Sequence, residues 1–260
     1  MISECKEIRR NILDISRKSK HGHIPTCFSV VELLYAIYET MRHNPSDSLW
    51  AERDICILSK GHASLAHYCV LAKFGYFDVQ RVYSFGAYMS DFGCHADRLK
   101  VPGIEASTGS LGHGIGIAAG IALAFKIKKN RRRVFTIIGD GESNEGTVWE
   151  AIMVAVDQKL NNLNIICDYN VSHKRGLQIY DPVAHFKGFG CDVVEVDGHD
   201  INTLKAELKK TGDTVRVIVA NTKKGYGCKT LAESHYEWHR KSPNDDEFKK
   251  LMRELDEETI

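Results

Sequence analysis

Five short runs rich in β-branched and apolar residues constrain the fold more than any other feature: ICIL (55–58), RVFTII (133–138), NIICDY (164–169), DVVEV (192–196) and VRVIVAN (215–221). Between them the apolar residues recur at helical spacing, so strand and helix patterns alternate along the chain. Parallel strands need long crossover connections, usually helical, and the alternation therefore predicts an α/β fold: a mostly parallel sheet with helices on both faces. Helical periodicity covers 4–19, 29–41, 63–73, 112–129, 145–159, 200–210 and 244–256. Residues 83–110 fit neither pattern, and an irregular stretch of that length is usually a functional loop. Only five prolines occur and no Pro/Gly/Ser-rich linker divides the chain, so one domain over residues 1–260 is expected.

Composition removes several functional classes. The formal net charge of +1 gives no field for a nucleic acid or an acidic membrane. The basic run KIKKNRRR (126–133) lies where a helix should end, and cations there favour the helix dipole. The start, MISECKEIRRN, is charged too early for a signal peptide, and the apolar run from Gly114 to Phe125 is short and broken by glycine. A cytoplasmic protein with no nucleic-acid or membrane partner is expected. The eight cysteines form no C-x-x-C pair and read as reduced core residues. His21 and His23 lack the four-ligand spacing of a zinc site. GIGIAA (114–119) spells a dinucleotide fingerprint without its preceding strand or its later acid, so close helix packing explains its small residues better.

The segment FTIIGDGESNEGTVWEA (135–151) runs from a strand through a turn into a helix, which puts GDG at the carboxyl end of a strand, where ligands bind in open α/β sheets. A hairpin turn is disfavoured because no second strand follows at once. A calcium loop fails as well, with Glu145 at its sixth position and Ala151 at its twelfth. A second polar cluster, DYNVSHKRG, ends the next strand. Neighbouring parallel strands would hold Asp140 and Asn170 side by side, with the Ser172 carbonyl close by. Those are hard oxygen donors, too few to complete a shell, and they suit magnesium bridged to a diphosphate. The glycines let the backbone approach such a group closely.

GDG followed by Asn170 resembles the thiamine diphosphate motif, and the version here looks like transketolase. LSKGHAS (58–64), PGIEASTGSLGHGIG (102–116), GDGESNEGTVWEA (139–151), VDGHD (196–200) and NTKKGYG…YEWHRKSP (221–243) stand in that family's order over nearly the whole chain. The resemblance is to the diphosphate-binding half, and the pyrimidine-binding half is expected to be absent. It implies that Asp140, Asn170 and the Ser172 carbonyl hold Mg2+ or another divalent ion, and that Gly141 faces the diphosphate. His62 would sit beside the diphosphate and thiazolium, and Gly109 and Leu111 would line the cofactor cavity. His23, His95 and His239 would face the sugar as groups able to donate to hydroxyls and shuttle protons. His21, His43, His67 and His185 read as structural. Glu145 matches an acid at the interface between cofactor-binding halves, whereas Glu142 reads as a solvated residue at a helix start.

The implied enzyme is the N-terminal subunit of a thiamine diphosphate-dependent transketolase. It would move a two-carbon ketol unit from a ketose to an aldehyde or aldose, working only with a separate pyrimidine-binding subunit, two of each chain. The alternatives are a non-catalytic cofactor-binding scaffold and the subunit of a thiamine-dependent decarboxylase or synthase. Departures from the family cluster at the substrate mouth: GHIPTCFS after the first histidine, His113 where Gln is usual and Arg240 where Gly is usual. They point to a specialised sugar substrate.

Overall fold

A computed structural model describes residues 1–171, 177–234 and 236–257. Five strands, β1 (Ile55–Leu58), β2 (Val134–Gly139), β3 (Leu163–Tyr169), β4 (Asp192–Asp197) and β5 (Arg216–Asn221), form one sheet in the order β1-β2-β3-β5-β4. Every pairing is parallel. All six residues of β2 are buried, the pattern of a strand covered on both faces. Its side chains alternate between two cores: Phe135 and Ile137 belong to one, Val134 and Ile138 to the other.

Helices α1 (Ser3–Ser19), α2 (Ile24–Ser29), α3 (Val31–Thr40), α4 (Ser64–Lys73) and α8 (Ile201–Leu208) pack into the first core. Helices α5 (His113–Ile127), α6 (Gly146–Asp157) and α7 (Pro182–Gly188) pack into the second. The chain steps one way across the sheet from β1 to β4 with α5, α6 and α7 on one face. It then steps back to β5 with α8 on the other, as crossovers of constant handedness require. α9 (Lys229–Glu233) and α10 (Asp245–Glu257) close the chain, with Leu251 and Leu255 of α10 buried. Since all five strands run the same way, the segments after them gather at one edge: Ser59–His62, Asp140-Gly141, Asn170, Gly198-His199 and Thr222–Lys224.

The sheet matches the sequence reading strand for strand, and the helices differ in places. The helix expected over 29–41 is α3, and a short helix not expected from the sequence, α2, precedes it: Pro25 opens α2 in its first turn and Val30 (φ −98°, ψ 0°) joins it to α3. α7 and α9 stand where no helix is expected from the sequence. Asp181 caps α7 by accepting from the Ala184 amide, with Pro182 next in line. The small residues of GIGIAA divide: a Cβ on Gly114 would sit 2.6 Å from Ser59, as close packing requires, but Gly116, like Gly120 just beyond the motif, faces open space. The basic run works within the chain. Lys126 donates to the Gln158 and Lys159 carbonyls beyond α6, and Arg133 pairs with Asp54 and donates to the Thr40 and Leu208 carbonyls. All eight cysteines are free, and all but Cys94 are buried. Among the described residues no helix is long and apolar enough to cross a membrane.

Candidate cofactor and substrate site

The floor of the site is the junction of β2 and β3, where Gly139 pairs with Asp168. Asp140 and Asn170 follow at the two strand ends, 4% and 8% exposed. Asp140 Oδ1 accepts from the Gly141 amide at 2.7 Å. Asn170 Nδ2 donates to Asp168 Oδ2 at 3.0 Å, which makes Oδ1 the atom of this side chain with ligand chemistry. Asp168 is wholly buried and ion-paired to Lys60; Ser29 Oγ donates to it at 2.7 Å and Thr222 Oγ1 donates to its other oxygen. Burial would raise its carboxyl, but Lys60 and these hydrogen bonds outweigh burial and hold it below the usual range. The sequence reading misses Lys60 and Asp168, although each lies inside a motif it singles out. The visible signal is a carboxylate in a run otherwise built to be buried.

Glu142 is not the solvated residue expected. It is 2% exposed and takes hydrogen bonds from Ser59 Oγ (2.5 Å), the Gly112 amide (2.8 Å) and the Gly139 amide (3.1 Å). A 3-10 turn over Glu142–Asn144 precedes α6 and folds the side chain back under β2. Burial pushes its carboxyl up, and the three donors offset part of the effect. Glu145 is exposed at the N-cap of α6.

Three histidines converge above this floor. The rings of His23 and His239 lie 5.2 Å apart, those of His23 and His62 5.6 Å, and those of His62 and His239 6.4 Å. His23 has φ 69°, a left-handed conformation uncommon for a residue with a side chain. Gly22 packs against the backbone of Arg240, bringing the two histidine-bearing loops together. Thr26 Oγ1 stands 3.4 Å from His62 Nε2. Burial, then the cation of Lys60, lowers His62 to about 2, while burial and the field of His239 and Arg240 lower His23 to about 4. Burial also lowers His239, with help from Lys224 and Arg240. All three are neutral imidazoles at neutral pH.

His95 is exposed on the irregular segment, and its ring lies 3.3 Å from where a Gly109 Cβ would be. A Cβ on Gly61 would sit 2.7 Å from the Thr108 backbone, which ties this loop to the end of β1. Leu111 is half-buried one residue before the Gly112 amide that Glu142 fixes. Ser172 lies outside the described residues. Lys224 is also missed by the sequence reading: it is 8% exposed and brought to about 8 by burial and by Lys60, against the pull of Asp140 and Asp168. It therefore carries its charge between the Asp140 corner and the histidines. His67 and His43, read as structural, make contacts of that kind. His67 bonds Tyr38, and His43 stacks on Tyr76 at 5.8 Å. His21 packs edge-on against Phe85, and His185 lies beside Trp149.

Residues 3–258 match the family described as the transketolase, thiamine diphosphate binding domain. The chain is 36% identical to one of the named subunits of the apulose-4-phosphate transketolase of Actinobacillus succinogenes, over 98% of this chain and 95% of that protein. It is 33% identical to the 6-deoxy-6-sulfo-D-fructose transketolase subunit SqwG of Clostridium sp. strain MSTE9, over 98% and 96% of the two chains. The crystal structure of transketolase from Campylobacter jejuni superposes with a TM-score of 0.87 at 26% identity, covering 98% of this chain. The chain spans only 43% of that transketolase's length.

Proposed function

The chain belongs to the transketolase family, as a thiamine diphosphate-binding domain, and from that premise we propose that it is the diphosphate-binding subunit of a transketolase-like enzyme. That enzyme moves a two-carbon ketol unit from a ketose donor to an aldehyde or aldose acceptor in specialised sugar metabolism. The observation that carries this reading is the adjacency of a hard-oxygen corner, Asp140 and Asn170, to buried Lys224 and a cluster of neutral histidines.

The donor set fits the cofactor. Among the described residues no group of three or more His, Cys, Asp or Glu side chains is arranged to hold a metal unaided. One carboxylate and one amide oxygen suit a magnesium ion that takes its other ligands from phosphate and water. Asp140 and Asn170 would hold Mg2+ or another divalent ion, with the carbonyl of Ser172, which lies outside the described residues, as the further donor that the family resemblance implies. Gly141, Gly109, Leu111 and His62 line the cofactor, and Lys224 neutralises diphosphate charge. When bound, thiamine diphosphate supplies the carbon nucleophile and electron sink that cleavage beside a carbonyl needs. The chain's own residues orient and move protons: the neutral imidazoles of His23 and His239, together with His95, donate to and accept from sugar hydroxyls.

The names of the two relatives support the rest of the reading. Both are named as subunits of a transketolase, and this chain covers nearly all of each, which favours a separate pyrimidine-binding partner; we propose two of each chain. Their sugars carry a phosphate or a sulfonate, which favours an anionic, specialised ketose here, and Arg240 is exposed beside His239. Calorimetry tests the core assignment. Thiamine diphosphate should bind only with a divalent ion present, and Asp140→Ala should abolish cofactor and metal binding together. Unchanged cofactor affinity in that variant, with magnesium present, overturns the metal assignment. Turnover of 2-keto acids but not ketoses by the assembled enzyme would replace ketol transfer with a decarboxylase chemistry.

A further inference from the structure

The VDGHD motif has no part in the proposed site, yet His199 is held more tightly than a turn residue needs. Its side chain is 7% exposed. Nε2 accepts the backbone N–H of Lys223 at 2.9 Å, so that nitrogen carries no proton. Nδ1 lies 3.0 Å from Glu32 Oε2 and therefore bears the ring's proton. Glu32 is in turn gripped by Arg9 through both terminal guanidinium nitrogens, Nη1 and Nη2, at 2.5 and 2.6 Å, and Arg9 Nη2 also donates to the Phe28 carbonyl at 2.7 Å. Burial would raise the Glu32 carboxyl, but Arg9 and the His199 bond bring it down to about 2. The carboxylate is thus charged and fixes the imidazole tautomer.

These contacts converge on one short loop. Thr222 donates to Asp168, Lys223 is held by His199, Gly225 donates to the Pro25 carbonyl at 2.9 Å, and Tyr226 stacks on the His199 ring at 3.6 Å. Lys224 is the residue between those anchors. We propose that His199 is a positioning residue: as a neutral Nδ1–H imidazole set by Glu32 and Arg9, it fixes the Thr222–Tyr226 loop so that Lys224 meets the diphosphate. The inference rests on the reading of Lys224 as a diphosphate ligand. A histidine does this work because one planar ring donates to a carboxylate, accepts a backbone amide on its far side and stacks on Tyr226.

The test is a double-mutant cycle in the full chain, with magnesium-dependent thiamine diphosphate affinity read by calorimetry. His199→Phe keeps the ring on Tyr226 and removes both hydrogen bonds. It should weaken binding about tenfold when Lys224 is present and less than about twofold in a Lys224→Met background, because coupled residues are non-additive. An equal loss in both backgrounds, or no loss, overturns the inference alone. No binding by the wild-type chain overturns the functional reading and the inference with it. Nitrogen-15 shifts of the His199 ring in the wild-type chain give a measurement independent of the variant's folding. They should report a neutral ring protonated at Nδ1; a ring protonated at Nε2 overturns the proposal.

Discussion

His67 on α4 is 2% exposed, and its Nε2 lies 2.8 Å from the Tyr38 hydroxyl, so protonating it would place an unpaired charge in the core. Burial lowers it to about 3. The folded pKa is below the unfolded one, so beneath about pH 6.5 the unfolded chain binds a proton that the folded chain does not. Stability from this group is complete above that pH and falls as pH drops towards 3, by up to about 1.4 kcal/mol per pH unit. His67→Gln keeps a partner for Tyr38 but cannot titrate. Its urea midpoint should depend less steeply on pH between about 6.5 and 4.5 than the wild type's, and an equal slope would show that His67 is not the group responsible. His23 is half-buried and His239 exposed, unlike His67, and they serve the substrate in the proposed function. Alanine at His23, His95 or His239 should lower kcat by about a hundred- to a thousandfold, the lower part of the range for a proton-transfer group, with cofactor affinity nearly unchanged. Loss of cofactor binding in all three would mark them as structural. Asp140 and Asn170 are readable in the sequence because they follow apolar strands at their carboxyl ends, and these histidines through the motifs that resemble the family's. Asp168 is signalled only by its place in a run otherwise built to be buried, and Glu142 and Lys60 are not legible, since a buried charge declares itself through its partner, and Glu142's partner Ser59 stands 83 positions away in sequence.

The same distance rule operates on elements. The five strands are legible because four of them are local, continuous apolar runs buried on both faces. The fifth, β4, is partly exposed, and its valines suffice. α2, α7 and α9, at six, seven and five residues, are too short for periodicity to register. Glu142 joins three elements that are separate in sequence: the end of β1 through Ser59, the end of β2 through Gly139 and the entry to α5 through Gly112. Ser59 Oγ extends the set by accepting the Ile115 amide at 3.1 Å. Removing the carboxylate leaves two backbone donors and a hydroxyl without their acceptor. Glu142→Ala should therefore cost about 3 kcal/mol in urea unfolding, at about 1–3 kcal/mol per buried unmet group less the relief of desolvating a charge. Glu142→Gln, which keeps an acceptor oxygen, should cost less. A loss under about 0.5 kcal/mol for Ala, within the range of ordinary surface substitutions, would mean that these bonds do not hold the elements together.

At the scale of the whole molecule, α5 and α6 leave an apolar face uncovered. α5 is apolar nearly all round, a composition suited to a helix covered on every side, yet Ile117 is 41% exposed and, on α6, Met153 and Val154 are 57% and 50% exposed. A groove of about 400 Å3 runs between the helices, lined by Gly116, Ala119, Gly120, Leu123, Ala151 and Val154. Gly116 and Gly120 have nothing within 4 Å of a Cβ position, so another backbone can approach there closely. Glu145 is exposed near the mouth of this groove, against Gly112. An apolar face with this shape favours a second copy of the chain as its cover, with the proposed pyrimidine-binding subunits completing the assembly. Sedimentation of the purified chain at micromolar concentration should give a dimer. Val154→Arg places a charge on an exposed position of the groove, so it should shift the chain to monomer while moving the melting temperature little. Mixed with its partner, the wild-type dimer should turn over ketose and the variant should lose most of that activity, whereas the wild-type chain alone should show none. A wild-type monomer that stays monomeric with magnesium and thiamine diphosphate, or equal turnover with and without the partner, would refute this assembly.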